Sequence, residues 1–457
     1  VAPLLIALAR EWQPKHRFLL GFGCGLVSWG GVCYWIHFVA TVHGGVGEAG
    51  GAAAFAVFCF LKAFHLGAFG LLAGVLIQNR FAILSIPALW VAIERIPGFF
   101  WFVWLTLGNA GVDMGVPMRL VPYTGVYGIS FVFCMMATGI ALILLRRPRI
   151  QILPVLLLPA MLLLPPLPPP TRGTESAVSL QPNLREDKEW YQNEVVSMQK
   201  RLEYLTLQSA LDPRLPAPKL ILWPEVPAPL YYYTDTGFRD GVTNMARLSR
   251  TRVLIGTVAH TQNNQPLNSA LMLTPSGQVA GRYDKIWLVP FGEYVPTPFG
   301  FVNKISGEIG EFAAGEKIVL FDLGKEKLGA FICYESAFPH LVRRFAAGGA
   351  QVFANLSNDG YFGKSAARQQ HLSLVRMRAA ENRRWILRST NDGLTAAVDP
   401  AGRITQILSP FQETAARLQF SLVADQTVYT RYGDWFAWTC VAAAALALLL
   451  SQIPKFG

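Results

Sequence analysis

Histidine is scarce in this chain, seven residues in 457, and several motifs that organise common active sites are missing. No Gly-x-Ser-x-Gly is present, which removes the nucleophile elbow of a serine hydrolase. There is no P-loop and no paired metal-ligand spacing, so neither a nucleotide site, a metal nor another cofactor is expected. Between residues 168 and 433 the histidines are His260, His340 and His371, too widely separated to suggest Ser-His or zinc chemistry. A disulfide framework is also lacking. Cys24, Cys33, Cys59, Cys134 and Cys440 lie in long apolar stretches, where cysteine behaves as a small apolar residue. Internal repeats and low-complexity tracts are absent.

Apolar residues, by contrast, are abundant. They make up 52% of the chain, and the mean hydropathy of +0.33 is too high for an ordinary soluble protein. They concentrate in residues 1–167 and again near the C-terminus. Stretches 17–42, 51–77, 81–107, 121–145, 151–167 and 434–453 each approach or exceed the ~17 residues needed to cross hydrocarbon. Residues 1–9 are apolar but too short to span and lack an initiator Met, so they read as the tail of a truncated span. The expected organisation is a helical transmembrane domain over 1–167, a large domain over 168–433, and a transmembrane helix with a short cytoplasmic tail over 434–457. Leu164-Pro-Pro-Leu-Pro-Pro-Pro170 is a stiff spacer between the first two.

The net charge of +11 has a better explanation than nucleic acid. Arg10, Lys15, Arg17, Arg80, Arg146, Arg147, Arg149 and Lys455 fall on one face when the crossings are counted, and the opposite loops carry only Arg119. Positive charge marks the cytoplasmic side, so the large domain is expected on the other side of the cytoplasmic membrane. Within the spans, Lys62 and His65 lie one turn apart and Glu94 adjoins Arg95. Such charges are expected to pair with each other or lie near the headgroups, fixing helix packing.

The large domain alternates strands with helices, indicating an α/β or layered α+β fold. Three of its strand ends carry chemistry. Lys219–Trp223 ends in Pro224-Glu225, Gln278–Tyr283 runs into Asp284-Lys285, and Leu328–Ile332 stops at Cys333-Tyr334-Glu335. Cys333 is the one cysteine between residues 135 and 439. A lone buried cysteine is by default structural, and a surface Glu or Lys is ordinarily just solvated. A thiol, a carboxylate and an ammonium at the rim of one sheet make a nucleophilic site instead. Glu225 would remove the thiol proton, Lys285 would hold a tetrahedral oxyanion, and Glu293 would orient Lys285 or share the proton traffic.

The order Trp223-Pro-Glu225, Tyr283-Asp-Lys-x-x-Leu-Val-Pro-Phe-Gly-Glu-Tyr-Val-Pro296 and Ile332-Cys-Tyr-Glu335 resembles the nitrilase-like carbon–nitrogen hydrolase superfamily. Taken with the spans, it is similar to the bacterial apolipoprotein N-acyltransferase family. Leu356-Ser-Asn-Asp359, Arg378-Ala-Ala-Glu381-Asn-Arg and Arg388-Ser-Thr-Asn391-Asp-Gly match as well. The resemblance implies a polytopic α-helical membrane domain plus an α-β-β-α sandwich with a triad of Glu225, Lys285 and Cys333. It also implies supporting roles for Glu293, Tyr334 and Glu335, and an acyl-site tryptophan at Trp190. It implies acyl transfer from a membrane phospholipid, through a cysteine thioester, to the α-amine of a diacylated apolipoprotein, by a monomer. The chain departs from the family at Tyr361, where Trp is common, and at Asn109-Ala-Gly-Val, where Gly-Tyr-Ser-Gln is usual. A membrane-tethered amidase would use the same triad. A transporter or receptor would leave the triad unexplained.

Pro290–Phe312 and Val226–Tyr233 are rich in proline and aromatics, with little periodicity. Too greasy for solvated loops, they are expected to form an entrance for acyl chains, with Phe299, Phe301 and Tyr361 among the lipid contacts and at least one loop opening as a lid. Replacing both Phe299 and Phe301 by Ser should lower activity on membrane-bound substrate, and unchanged activity would contradict the assignment.

Overall fold

The computed structural model describes residues 1–96, 102–185, 191–226, 230–297, 299–300 and 311–452. They form two compact units, one from Val1–Leu167 together with the chain from Tyr432 onward, the other from Pro168–Arg431. Trp190 and Phe301 lie outside the described residues.

In the first unit, three helices are long and apolar enough to cross a membrane: Gly47–Leu76, Val126–Leu144 and Trp435–Gln452. A bent pair, Pro14–Val32 and Trp35–His43, meets at 62° and makes a fourth if it is one span. Six full-length spans are therefore not found among the described residues, and proline explains much of the difference. In 81–107 the helix stops at Arg95, because Ile96 precedes Pro97 and is driven to an extended ψ of 119°. In 151–167, Pro154 and Pro159 leave a 3-10 helix over Leu153–Leu163. The stretch 121–145 is interrupted at Gly125, whose φ of 65° separates Val121–Thr124 from Val126–Leu144. Hydropathy counts apolar residues and is blind to these backbone constraints.

Lys62, Glu94 and Arg95 find partners on other segments of this unit. Lys62 donates to the Phe102 carbonyl at 3.0 Å and sits 4.4 Å from the Trp29 ring centre. Glu94 accepts from Trp90 Nε1 at 2.8 Å and from the Leu107 amide at 2.6 Å. Arg95 pairs with Asp434 at 2.9 Å. Each ties together segments distant in sequence, which is how polar groups glue helices in an apolar setting.

The second unit is an α-β-β-α sandwich. One sheet takes β1 (Glu175–Gln181), β2 (Leu220–Leu222), β3 (Arg252–His260), β4 (Pro266–Leu273), β5 (Val279–Asp284) and, from the end of the domain, β12 (Thr414–Phe420), in the order β12-β1-β2-β3-β4-β5. The other takes β6 (Leu320–Asp322), β7 (Lys327–Ile332), β8 (Val352–Ser357), β9 (Ile386–Thr390), β10 (Ala396–Val398) and β11 (Ile404–Ile407), in the order β11-β10-β9-β8-β7-β6. Helices Gln192–Ala210 and Thr236–Ser249 cover the first sheet, and Pro339–Ala347 and Ala367–Asn382 the second. β11 is an edge strand of largely exposed residues, so it carries no apolar run.

Period-two alternation sends Val178, Leu180, Ile221, Val253 and Ile255 to one face, where they pack with Met198, Leu202, Phe238, Val242 and Met245 of the covering helices. Polar bonds tie the sheets together at the rim. Asn391 Nδ2 donates to the Leu184 carbonyl, and its Oδ1 accepts the Leu184 amide, both at 2.8 Å. Ser389 Oγ donates to the Leu180 carbonyl at 2.9 Å. Because β1, β2 and β3 run parallel, as do β7, β8 and β9, each sheet gathers several strand C-termini along one edge. That edge is where α/β folds place ligands.

Gly256 in β3 donates its amide to the Pro224 carbonyl at 3.1 Å. A Cβ there would collide with the Pro224 oxygen and the Val226 nitrogen, and lie 2.7 Å from the Glu225 Cα. Gly256→Ala is expected to destabilise the fold by about 1–3 kcal/mol, the range for overpacking, and to lower activity by displacing Glu225. Thermal unfolding and turnover check this, and wild-type values in both would refute it.

Candidate active site

Each residue at the rim is delivered by a strand end. Glu225 follows β2 after Trp223 and Pro224, and Val226 beyond it has a φ of 23°, unusual for a β-branched residue. Lys285 follows β5, and its amide donates to the Asn268 carbonyl at 2.8 Å. Cys333 follows β7 and opens a 3-10 turn, Cys333–Ala337. Its φ is 48°, in the left-handed region that residues with a Cβ seldom enter.

Lys285 is 1% exposed and stands between two carboxylates. Its Nζ lies 3.1 Å from Glu225 Oε1 and 2.9 Å from Glu293 Oε1. Asn268, at the start of β4, donates its Nδ2 to the same two oxygens, at 2.8 and 2.7 Å. Glu293 Oε2 accepts from the Val289 amide at 2.8 Å, which closes the turn around the pair. Glu225 Oε2 accepts from the Asn358 amide at 2.9 Å.

The charges define distinct roles. Burial alone would push Lys285 down, but the carboxylates of Glu225 and Glu293 outweigh it and hold the ammonium well above the usual lysine value. Lys285 is thus a fixed cation and a poor base. Burial pushes the Cys333 thiol up, and the Glu225 carboxylate adds to this while Lys285 opposes it. The resting thiol is therefore protonated.

Glu335 is fully buried and couples Lys285 to Cys333. Its Oε1 accepts from Tyr283 Oη and the Ile286 amide, both at 2.7 Å, and its Oε2 from the Ile332 amide at 2.8 Å. One carboxyl group thereby pins the residues before and after Lys285 to the residue before Cys333. Tyr334 is buried with its ring edge-on to Phe338, 5.1 Å between centres. Phe299 is half-buried and meets Phe291 edge-on at 5.9 Å. Tyr361 is exposed, in the turn Gly360–Phe362 just past Asp359.

Asn268 and Asn358 escaped the sequence reading. Asn268 stands in an apolar strand with no motif around it. Asn358 lies in a matched motif, yet it acts through its main-chain amide, which side-chain identity does not reveal. Among the described residues no group of three His, Cys, Asp or Glu stands where it could hold a metal ion.

This sandwich, with a thiol, a buried lysine and two carboxylates at its rim, is a carbon–nitrogen hydrolase domain, and residues 194–426 match the carbon-nitrogen hydrolase family. Residues 1–139 match the apolipoprotein N-acyltransferase N-terminal domain. The chain belongs to the apolipoprotein N-acyltransferase family and is an acyltransferase. It is 33% identical to the apolipoprotein N-acyltransferase of Geobacter metallireducens, over 98% of this chain and 89% of that one. It is 28% identical to the apolipoprotein N-acyltransferase of Pseudomonas putida, over 100% of this chain and 92% of that one. Among solved structures, an amidase from Nesterenkonia sp. AN1 is 19% identical, with a TM-score of 0.42, covering 57% of this chain and 96% of that one.

Burial raises the Glu335 carboxyl to about 7, against the lowering effect of its donors, from an ordinary 4.5. Across that window the folded chain keeps a proton that the unfolded chain has released, so stability falls as pH rises. Glu335→Gln should remove this slope. The stability of wild type relative to the variant is expected to decline from pH 4.5 to about 7, read from thermal unfolding in detergent. A constant difference would refute the raised carboxyl.

Proposed function

We propose that this chain moves a fatty acyl chain from a membrane phospholipid to the α-amine of the diacylglyceryl-cysteine of apolipoproteins. The reaction is ping-pong, through a thioester on Cys333. The observation that carries this reading is the Lys285 ammonium locked between Glu225 and Glu293 at the strand-end rim that also bears Cys333. Apolar helices in the same chain support a lipid donor.

In the first half-reaction Glu225 takes the thiol proton as Sγ attacks the ester carbonyl. The developing oxyanion is stabilised by Lys285, which the two neighbouring carboxylates hold as an ammonium. Collapse expels the lysophospholipid alkoxide, which takes the proton back from Glu225. In the second half-reaction the apolipoprotein amine attacks the thioester, Glu225 accepts its proton, and an amide forms as the Cys333 sulfur leaves and is reprotonated. Tyr334 and Glu335 hold the nucleophile turn, and Trp190, Phe299, Phe301 and Tyr361 contact lipid. The 1–167, 168–433 and 434–457 segments act as membrane domain, catalytic domain and membrane anchor, with the site on the periplasmic side of the bacterial inner membrane. The charge pattern of the loops supports that orientation.

Incubation with phospholipid should add one acyl mass to the protein, labile to hydroxylamine, and absent in Cys333→Ala. Glu225→Gln should slow adduct formation by about 10²-fold or more, and Lys285→Met should impair both half-reactions. Supplying a diacylated lipopeptide should yield acylated peptide. An equal adduct in Cys333→Ala would overturn the nucleophile, and free fatty acid without acylated peptide would make the chain a membrane-tethered hydrolase.

A further inference from the structure

Behind the nucleophile lies a buried polar cluster that this reaction scheme does not use. His371 comes from the helix Ala367–Asn382, Asp359 from the loop after β8 and Arg388 from β9, and all three are fully buried. His371 Nε2 lies 3.0 Å from the main-chain oxygen of Cys333. A carbonyl oxygen can only accept, so Nε2 carries the proton of that bond. On the far side of the ring, Nδ1 lies 2.9 Å from Asp359 Oδ1.

Asp359 is itself clamped. Arg388 Nη2 donates to its two oxygens at 2.8 and 2.7 Å, and Ser357 Oγ donates to Oδ1 at 3.1 Å. Arg388 Nη1 also donates to Asn355 Oδ1, and Asn355 Nδ2 donates to the Phe331 carbonyl at 3.2 Å. Phe362 closes over the imidazole edge-on, 5.9 Å between ring centres. The cluster thus grips the chain at the main-chain oxygens of Phe331 and Cys333, on either side of Ile332.

Desolvating an arginine, a carboxylate and a histidine together is unfavourable unless each is satisfied. A left-handed backbone on a residue with a Cβ is strained by about 1–3 kcal/mol and persists only where its surroundings over-determine it. At Cys333 these two unfavourable features meet through one hydrogen bond.

We propose that His371 is a positioning residue. Its bond to the Cys333 carbonyl, braced by Asp359 and Arg388, holds the left-handed turn that presents the thiol on the side of Glu225 and Lys285. The inference rests on the reading of Cys333 as the nucleophile.

The test uses the full chain in detergent with phosphatidylethanolamine mixed micelles. Two rates are followed on Cys333: single-turnover acyl-adduct formation, and alkylation by iodoacetamide assigned by peptide mass. His371→Met keeps the side-chain volume and removes the donor. It is expected to slow both rates by about tenfold or more, since small misplacements of reacting groups are expensive, and to leave the half-saturating phospholipid within about twofold. His371→Gln retains an N–H near the Nε2 position and should recover both rates to within about threefold of wild type, if geometry is what was lost. If His371→Met does not fold, His371→Asn, too short to reach the carbonyl, takes its place. Wild-type rates in the donor-less variant would overturn the proposal. So would a Gln variant no better than Met, or a loss residing entirely in half-saturation. If wild type forms no adduct, the nucleophile assignment fails, and the alkylation rates still report whether His371 holds this thiol.

Discussion

The buried ammonium of Lys285 is the constraint on which the site depends. A lysine that is 1% exposed persists as a cation only if nearby negative charge replaces its lost hydration. Glu225 and Glu293 supply that charge, and Asn268 bridges their two facing oxygens. The consequence is a division of labour set by electrostatics. In the proposed reaction the cation is therefore not the base, the buried thiol needs help to ionise, and proton transfer is left to a carboxylate. In the proposed reaction that carboxylate is Glu225, already oriented by three donors.

The fold supplies this arrangement by joining two sheets at one rim. Glu225, Lys285 and Asn268 come from the first sheet, Cys333 and Asn358 from the second. Bringing them together therefore demands that the sheets keep register with each other at that edge. Glu335 enforces it, since its carboxyl group collects donors from both sides. The Asn391–Leu184 pair does the same at another point on the edge. Such buried polar bonds add little net stability but disfavour alternative packings that would leave them unpaired.

Much of the sandwich was legible in the sequence because its strands are covered on both faces and appear as unbroken apolar runs, as at Leu328–Ile332. The strand-end positions of Glu225 and Cys333 followed from those runs. β11 was not legible, because an exposed edge strand has no such signal. Among the described residues fewer helices are long and apolar enough to cross a membrane than hydropathy suggests, because the backbone constraint of Pro154 and Pro159 does not register in hydropathy. Asn268 was missed because a single amide in an apolar strand announces nothing. His371 looked isolated in sequence. Its partners are a main-chain oxygen 38 positions away and a carboxylate 12 positions away, and only the fold brings them to it.

The charge state of Lys285 tests this account most directly. Isotope-edited NMR of lysine labelled at Nζ, with the signal assigned by its loss in Lys285→Met, would follow its titration in the detergent-solubilised chain. The account predicts that the ammonium stays protonated past 10.5, the ordinary lysine value, and that removing the charges of Glu225 and Glu293 together brings its titration down. A Lys285 that loses its proton at about pH 7–8 in the wild type would be poised as a general base, and would contradict the assignment of the cation and of Glu225 alike.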